Sequence, residues 1–146
     1  MTHILKRYLS ACLLLSVACA AAFAQEAPLA SFRFFEKWDS RPFALKEVSR
    51  LERMSQFQVS DPATNDVRAL FILCNLAEYT EKRGFSHFAV IQPKDGDIAY
   101  TLGLYHSADE ELSAAFGKDV DTARVLARRP GPVAKLIPMC PKKPAG

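Results

Sequence analysis

The spacing of apolar positions along this 146-residue chain changes several times, and each change marks an element. Tyr8 to Val17 is one short apolar run. Gln25 to Ser31 is small and polar and reads as a disordered lead-in. Phe32, Phe34, Phe35, Trp38 and Phe43 then crowd a stretch that also holds Arg33, Lys37 and Arg41. Leu45, Val48, Leu51 and Met54 recur every third residue, which predicts a short helix or an irregular amphipathic segment. From Gln56 to Ser60 the period is two, with Phe57 and Val59 on one side, and this predicts a strand.

The strongest pattern is a helix from Asp66 to Arg83. Thr64 or Asn65 caps it, and Gly84 supplies its left-handed stop. At 100° per residue Val67, Ala69, Leu70, Phe71, Leu73, Cys74 and Ala77 share an apolar sector, with Asn75, Tyr79, Lys82 and Arg83 opposite. Phe85 to Gln92 and Ile98 to Tyr105 read as two strands joined by a turn carrying the Asp95-Gly96 hairpin step. Ser107 and Glu110 form a capping box ahead of a short second helix closed by Gly117. Thr122 to Ala127 and Val133 to Met139 read as strands or extended segments around Arg129-Pro130-Gly131-Pro132. The expected fold class is α+β: a small mixed sheet with one long amphipathic helix packed on a face, built around a βαβ unit and a hairpin.

The first 24 residues change the setting of this fold. Lys6 and Arg7 precede the apolar run, which is too short to span a bilayer, and Ala22-Phe23-Ala24 supplies the small residues needed before a cut between Ala24 and Gln25. The reading is a signal peptide over residues 1–24 and a single exported, periplasmic domain over 25–146 with flexible ends. Cys19 offers the alternative of a lipid anchor in the envelope, although Ser16 occupies the place where a branched aliphatic residue is usual.

Removing the leader leaves 122 residues, enough for one core, with 17 basic and 16 acidic side chains. Such a balance implies no nucleic-acid partner. The charge is uneven, because residues 118–146 carry seven basic and two acidic side chains. This basic third, with Arg128 and Arg129, is a candidate for weak contact with an anionic membrane or glycan. Together with Trp38, Arg33 and Arg41 of the aromatic stretch, these arginines form the expected partner surface.

Cys74 and Cys140 are the only thiols after the leader. In an oxidising compartment they form either a bridge closing a loop of about 66 residues or a buried thiol and a loose tail thiol, and the Cα separation decides between them. No Cys-x-x-Cys occurs. His87 and His106 lack partners at metal-ligand spacing, and no Gly-x-Ser-x-Gly or phosphate loop is present, so no metal, cofactor or catalytic residue is assigned.

The strand near Phe57, the late-helix residues Ala77-Glu78-x-Thr80 and the following Gly84-Phe85-x-x-Phe88-x-Val90 carry a resemblance. They resemble a family of small, uncharacterised bacterial envelope proteins, many of them lipoproteins. Members often show an arginine and two alanines before the glutamate, where this chain has Asn75 and Leu76. The resemblance implies a compartment and a βαβ core, not an activity. The expectation is therefore an exported envelope protein that binds a protein or another envelope component without catalysis. The alternative is a periplasmic, hydrolase-like enzyme with an unrecognised site.

Overall fold

A computed structural model describes residues 27–36 and 41–141. The leader junction Ala24–Gln25, Cys19 and Trp38 lie outside the described residues. Six strands, β1 (Ser31–Phe34), β2 (Phe43–Arg50), β3 (Met54–Val59), β4 (His87–Ile91), β5 (Ala99–Tyr105) and β6 (Gly131–Pro132), form one sheet in the order β1-β2-β3-β5-β4-β6. Three helices accompany them: α1 (Asp66–Lys82), α2 (Ser113–Phe116) and α3 (Val133–Leu136).

The α+β class stands, and the pairing is antiparallel at every neighbour. β3 and β4 both run antiparallel to β5, which lies between them, so the strand-helix-strand unit is a split βαβ. Its crossover is α1, whose Asn65 side chain accepts from the Arg68 amide at the start, while Gly84 with φ +81° follows its end. The hairpin joining β4 to β5 turns at Gly96, φ +78°, and the Asp97 carboxylate accepts from the amides of Ile98 and Ala99.

One face of the sheet meets α1. Leu45, Phe57, Leu102 and Leu104 are fully enclosed there with Leu76 and Ala77 of the helix. Phe57 meets Tyr79 edge to face at 5.1 Å, and Phe71 sits against Phe34 and Phe43. The expected helix or amphipathic segment at Leu45 to Met54 is instead strand β2 and its turn. Phe43, Leu45 and Glu47 alternate inward, and the third-residue spacing ends at a bulge, with Val48 passed over between the pairs Glu47–Phe57 and Ser49–Gln56.

The helix face also differs from its apolar sector. Val67 is 57% exposed, whereas Arg68, Asn75 and Tyr79 are buried, each with hydrogen-bond partners that offset its desolvation. The C-terminal segment expected to be extended is largely helical: Thr122–Arg124 is a 3-10 turn, and α3 runs into a 3-10 turn at Ile137–Met139. Val133, Leu136 and Ile137 pack on the core. Cys74 and Cys140 are joined by a disulfide with a Cα separation of 5.7 Å, tying this segment to α1.

On the opposite face α2 packs against β5. Phe116 of α2 lies against Tyr105 and over Gly103, where a Cβ would stand 2.7 Å from the Phe116 ring. Glu110 accepts from the Ser107 amide as a capping box requires, but it closes a turn, and α2 begins later, at Ser113. Among the described residues no helix is long and apolar enough to cross a membrane.

Candidate functional site: a basic groove on the open sheet face

Strand alternation places Arg33, Ala44, Lys46, Gln56, Gln58 and Thr101 on the face away from α1, because their neighbours Phe32, Leu45, Phe57 and Leu102 enter the core. Arg33 stands opposite Ala44, Lys46 opposite Gln58, and Gln56 opposite Thr101. Two clefts open at this end of the sheet. One, of about 250 Å³, is lined by Arg41, Pro42, Phe43, Ser60, Asp61 and Arg68. The other, of about 230 Å³, is lined by Ala44, Lys46, Val48, Gln58, Val59 and Ser60. Ser60 lines both, the first cleft lying toward Arg68 of α1 and the second on the open face, and its hydroxyl accepts from the Ala44 amide.

The charges of the groove are ordered. Arg68 is buried and lies 4.7 Å above the Phe43 ring. Its guanidinium donates to both Glu36 oxygens, to Asp61 and to the Ala63 carbonyl. Arg68 and its hydrogen bonds hold the Glu36 carboxyl below its ordinary range. The Ala63 amide and then Arg68 do the same for Asp61. Both acids are thus hydrogen-bonded to Arg68, with Arg41 also lowering the Asp61 pKa, and Arg33, Arg41 and Lys46 are exposed.

A second network makes this edge of the sheet rigid. The Glu47 side chain is fully enclosed and accepts from Arg50 through two nitrogens, from the Tyr79 hydroxyl and from the Ala30 amide at 2.8 Å. Because that hydroxyl gives its only proton to Glu47, it accepts from Ser55 at 2.8 Å and from Arg83 at 2.7 Å. Burial pushes the Glu47 pKa up, but donation from Arg50, then from the Ala30 amide and the Tyr79 hydroxyl, outweighs it and brings the value down to about 2. The bulge at Val48 is what sends both Glu47 and Arg50 to the helix side.

The expected partner surface divides in two. Arg41 lines the first cleft, and Arg33 stands opposite Ala44, which lines the second. Arg128 and Arg129 stand exposed in the loop leading into β6, at the opposite edge of the sheet from β1.

The two histidines sit at neither place. His106 is exposed and stacks on Phe85 at 4.6 Å. The Ser86 hydroxyl donates to the His106 carbonyl, so at its 2.8 Å contact with His87 Nδ1 the ring nitrogen carries the proton. Among the described residues no carboxylate meets either imidazole, and no group of three or more His, Cys, Asp or Glu converges on a metal-sized space.

Sequence reading missed Lys46, Gln58 and Ser60 because they are single polar positions on an alternating strand. It missed Glu47, Tyr79 and Arg68 because their partners are remote in sequence. The alternation around Phe57 was the available signal for Gln58. No protein-family model, curated protein or solved structure matches the chain, so the resemblance of its middle segment rests on those residues alone.

Proposed function

We propose that this is an exported envelope protein that binds an anionic glycan along the groove between Arg41 and Lys46, without catalysis. The observation that carries the reading is that Arg41 and Lys46 line two clefts that share Ser60, with Arg33 opposite Ala44 beside the second, while Asp61, the acid of the lining, is paired with Arg68. A linear polymer carrying carboxylates or phosphates suits two clefts that meet at Ser60. Gln58 and Ser60 supply hydrogen bonds between the cations, and Pro42 and Phe43 give an apolar floor at one end.

Glu36, Glu47, Asp61 and Glu110 are each held below the ordinary carboxylate range by the groups that hydrogen-bond them, Arg68, Arg50, the Ala63 amide and Arg53 foremost, and so act as structural anions. The disulfide suits an oxidising compartment, in keeping with export.

The test is retention of the exported protein on an isolated envelope fraction as NaCl is raised, with K46E alongside. Each cation near an anionic surface contributes about 1 kcal/mol, so reversing Lys46 weakens retention by roughly thirtyfold at low salt. Digesting the glycan abolishes it. Retention indifferent to salt and to K46E, or surviving on anionic lipid vesicles alone, contradicts the reading.

A further inference from the structure

The sheet order leaves β1 with one neighbour, β2. The pairing between them continues back past the start of β1. Ala30 donates its amide to the enclosed Glu47 carboxylate and accepts from the Glu47 amide at 2.8 Å, and Arg50 donates to the Ala27 and Pro28 carbonyls. Ala27–Ala30 is thus a docked segment and not the disordered lead-in its composition suggested. Ala30 aims both backbone groups toward β2, and in an antiparallel ladder this orientation alternates, so Phe32 and Phe34 do the same. The N–H and C=O groups of Leu29, Ser31 and Arg33 therefore point the other way, and among the described residues no strand pairs with them.

The side chains along this edge have a symmetric order. Ala30, Phe32 and Phe34 pack on the core, which puts Leu29, Ser31, Arg33 and Phe35 on the open face. Leu29 and Phe35 are 50% and 68% exposed, and Phe32 stands midway between them. A second β1 laid antiparallel along the edge must set odd-numbered residues opposite odd-numbered ones, because only those carry outward backbone groups. A two-fold axis at Arg33 would set the two arginines face to face, where like charges repel. An axis at Ser31 would set Leu29 against the partner's Arg33. An axis at Phe32 sets Leu29 opposite the partner's Phe35, Ser31 opposite the partner's Arg33 and Phe32 opposite its own copy, so that apolar meets apolar and no cation meets a cation.

We propose that the chain pairs with a second copy of itself along β1, about a two-fold axis at Phe32, joining the two six-stranded sheets into one. Leu29 and Phe35 then cover each other, the outward N–H and C=O groups gain partners, and the half-buried Phe32 rings are enclosed further. Because the axis is normal to the sheet, both open faces lie on the same side, and the two copies present Arg33 and Lys46 as one longer basic strip. A contact this short belongs at the small end of interfaces, so assembly depends on concentration.

Sedimentation equilibrium of the exported protein from about 5 µM to about 500 µM reads the assembly, and the mass is expected to rise from monomer toward dimer across that range. S31P removes an outward N–H while leaving the β1–β2 bonds and the charge in place, and is expected to weaken dimerisation about tenfold or more at an unchanged urea midpoint. Oxidative crosslinking at exposed positions reads the register. S31C mixed with R33C is expected to crosslink severalfold faster than either variant alone, because the unlike positions face each other with Cα atoms about 5.5 Å apart. If S31P shifts the urea midpoint, the crosslinks alone decide. A protein that stays monomeric throughout, its edge bare or taken by an envelope peptide, overturns the proposal. So does a dimer indifferent to S31P in a variant that folds normally, or R33C that crosslinks to itself as readily as to S31C.

Discussion

Replacing Arg50 by alanine strikes the most enclosed charge pair among the described residues. The side chains of Arg50 and Glu47 are 13% and 0% exposed, and Arg50 supplies two of the donors that reach Glu47. Without Arg50, the carboxylate keeps the Tyr79 hydroxyl and the Ala30 amide but loses its salt-bridge partner, leaving Arg83 one hydroxyl away behind Tyr79, and the Ala27 and Pro28 carbonyls lose their donor. Breaking a buried pair from one side costs about 3 kcal/mol, since the partner charge stays buried.

The pH dependence gives a sharper test. In the native protein the Glu47 pKa is depressed from 4.5 to about 2, so its stabilising contribution is complete above about pH 4.5 and fades as pH falls through about 2. With screening allowed for, that contribution is about 2 to 3 kcal/mol. In R50A the buried carboxylate has lost its direct salt-bridge partner, its pKa rises, and protonation relieves the variant as pH falls. The stability gap between wild type and R50A therefore narrows from pH 7 to pH 3. Urea denaturation at the two pH values measures it, with E47Q/R50A as control, in which the buried charge is gone and the loss is smaller than in R50A. A deficit in R50A below 1 kcal/mol, or one equal at both pH values, refutes the argument.

Two further outcomes follow from the packing. Replacing Cys74 and Cys140 by serine opens the 66-residue loop and lowers stability by about 4 kcal/mol on the chain-entropy account, with the α3 segment the first to gain amide exchange; unchanged denaturation would contradict the bridge. G103A places a methyl against the Phe116 ring and the Tyr105 hydroxyl and costs about 1 to 3 kcal/mol, while G103A/F116A recovers part of the loss; an unaltered thermal midpoint in G103A would show that α2 does not pack there.

The legible parts of the sequence were those fixed by local chemistry. Asn65 and Gly84 bound α1, and Asp95-Gly96 turns the β4–β5 hairpin, because each acts within a few residues of itself. Parts fixed by remote partners were not legible. Glu47 and Tyr79 lie 32 residues apart, as do Glu36 and Arg68, and apolar counting sets such side chains on the solvent side. The bulge at Val48 produced a false three-residue period, since one extra residue in a strand shifts every later apolar position. The tail misled for a related reason: its apolar residues suit a strand, but Val133, Leu136 and Ile137 reach the core from short helical turns held by the disulfide. The groove needed the sheet order before Arg33, Arg41 and Lys46 could be placed at one end of the sheet, and the same order separates them from Arg128 and Arg129.

Lysine acetylation footprinting of the exported protein, alone and on its envelope fraction, addresses the groove most directly. Lys46, Lys94 and Lys135 are all exposed, and they lie on β2, at the β4–β5 turn and on α3. Binding in the groove protects Lys46 severalfold and leaves Lys135 reactive. Protection of Lys135 with Lys46 still freely acetylated would place the partner on the C-terminal basic third and contradict the account.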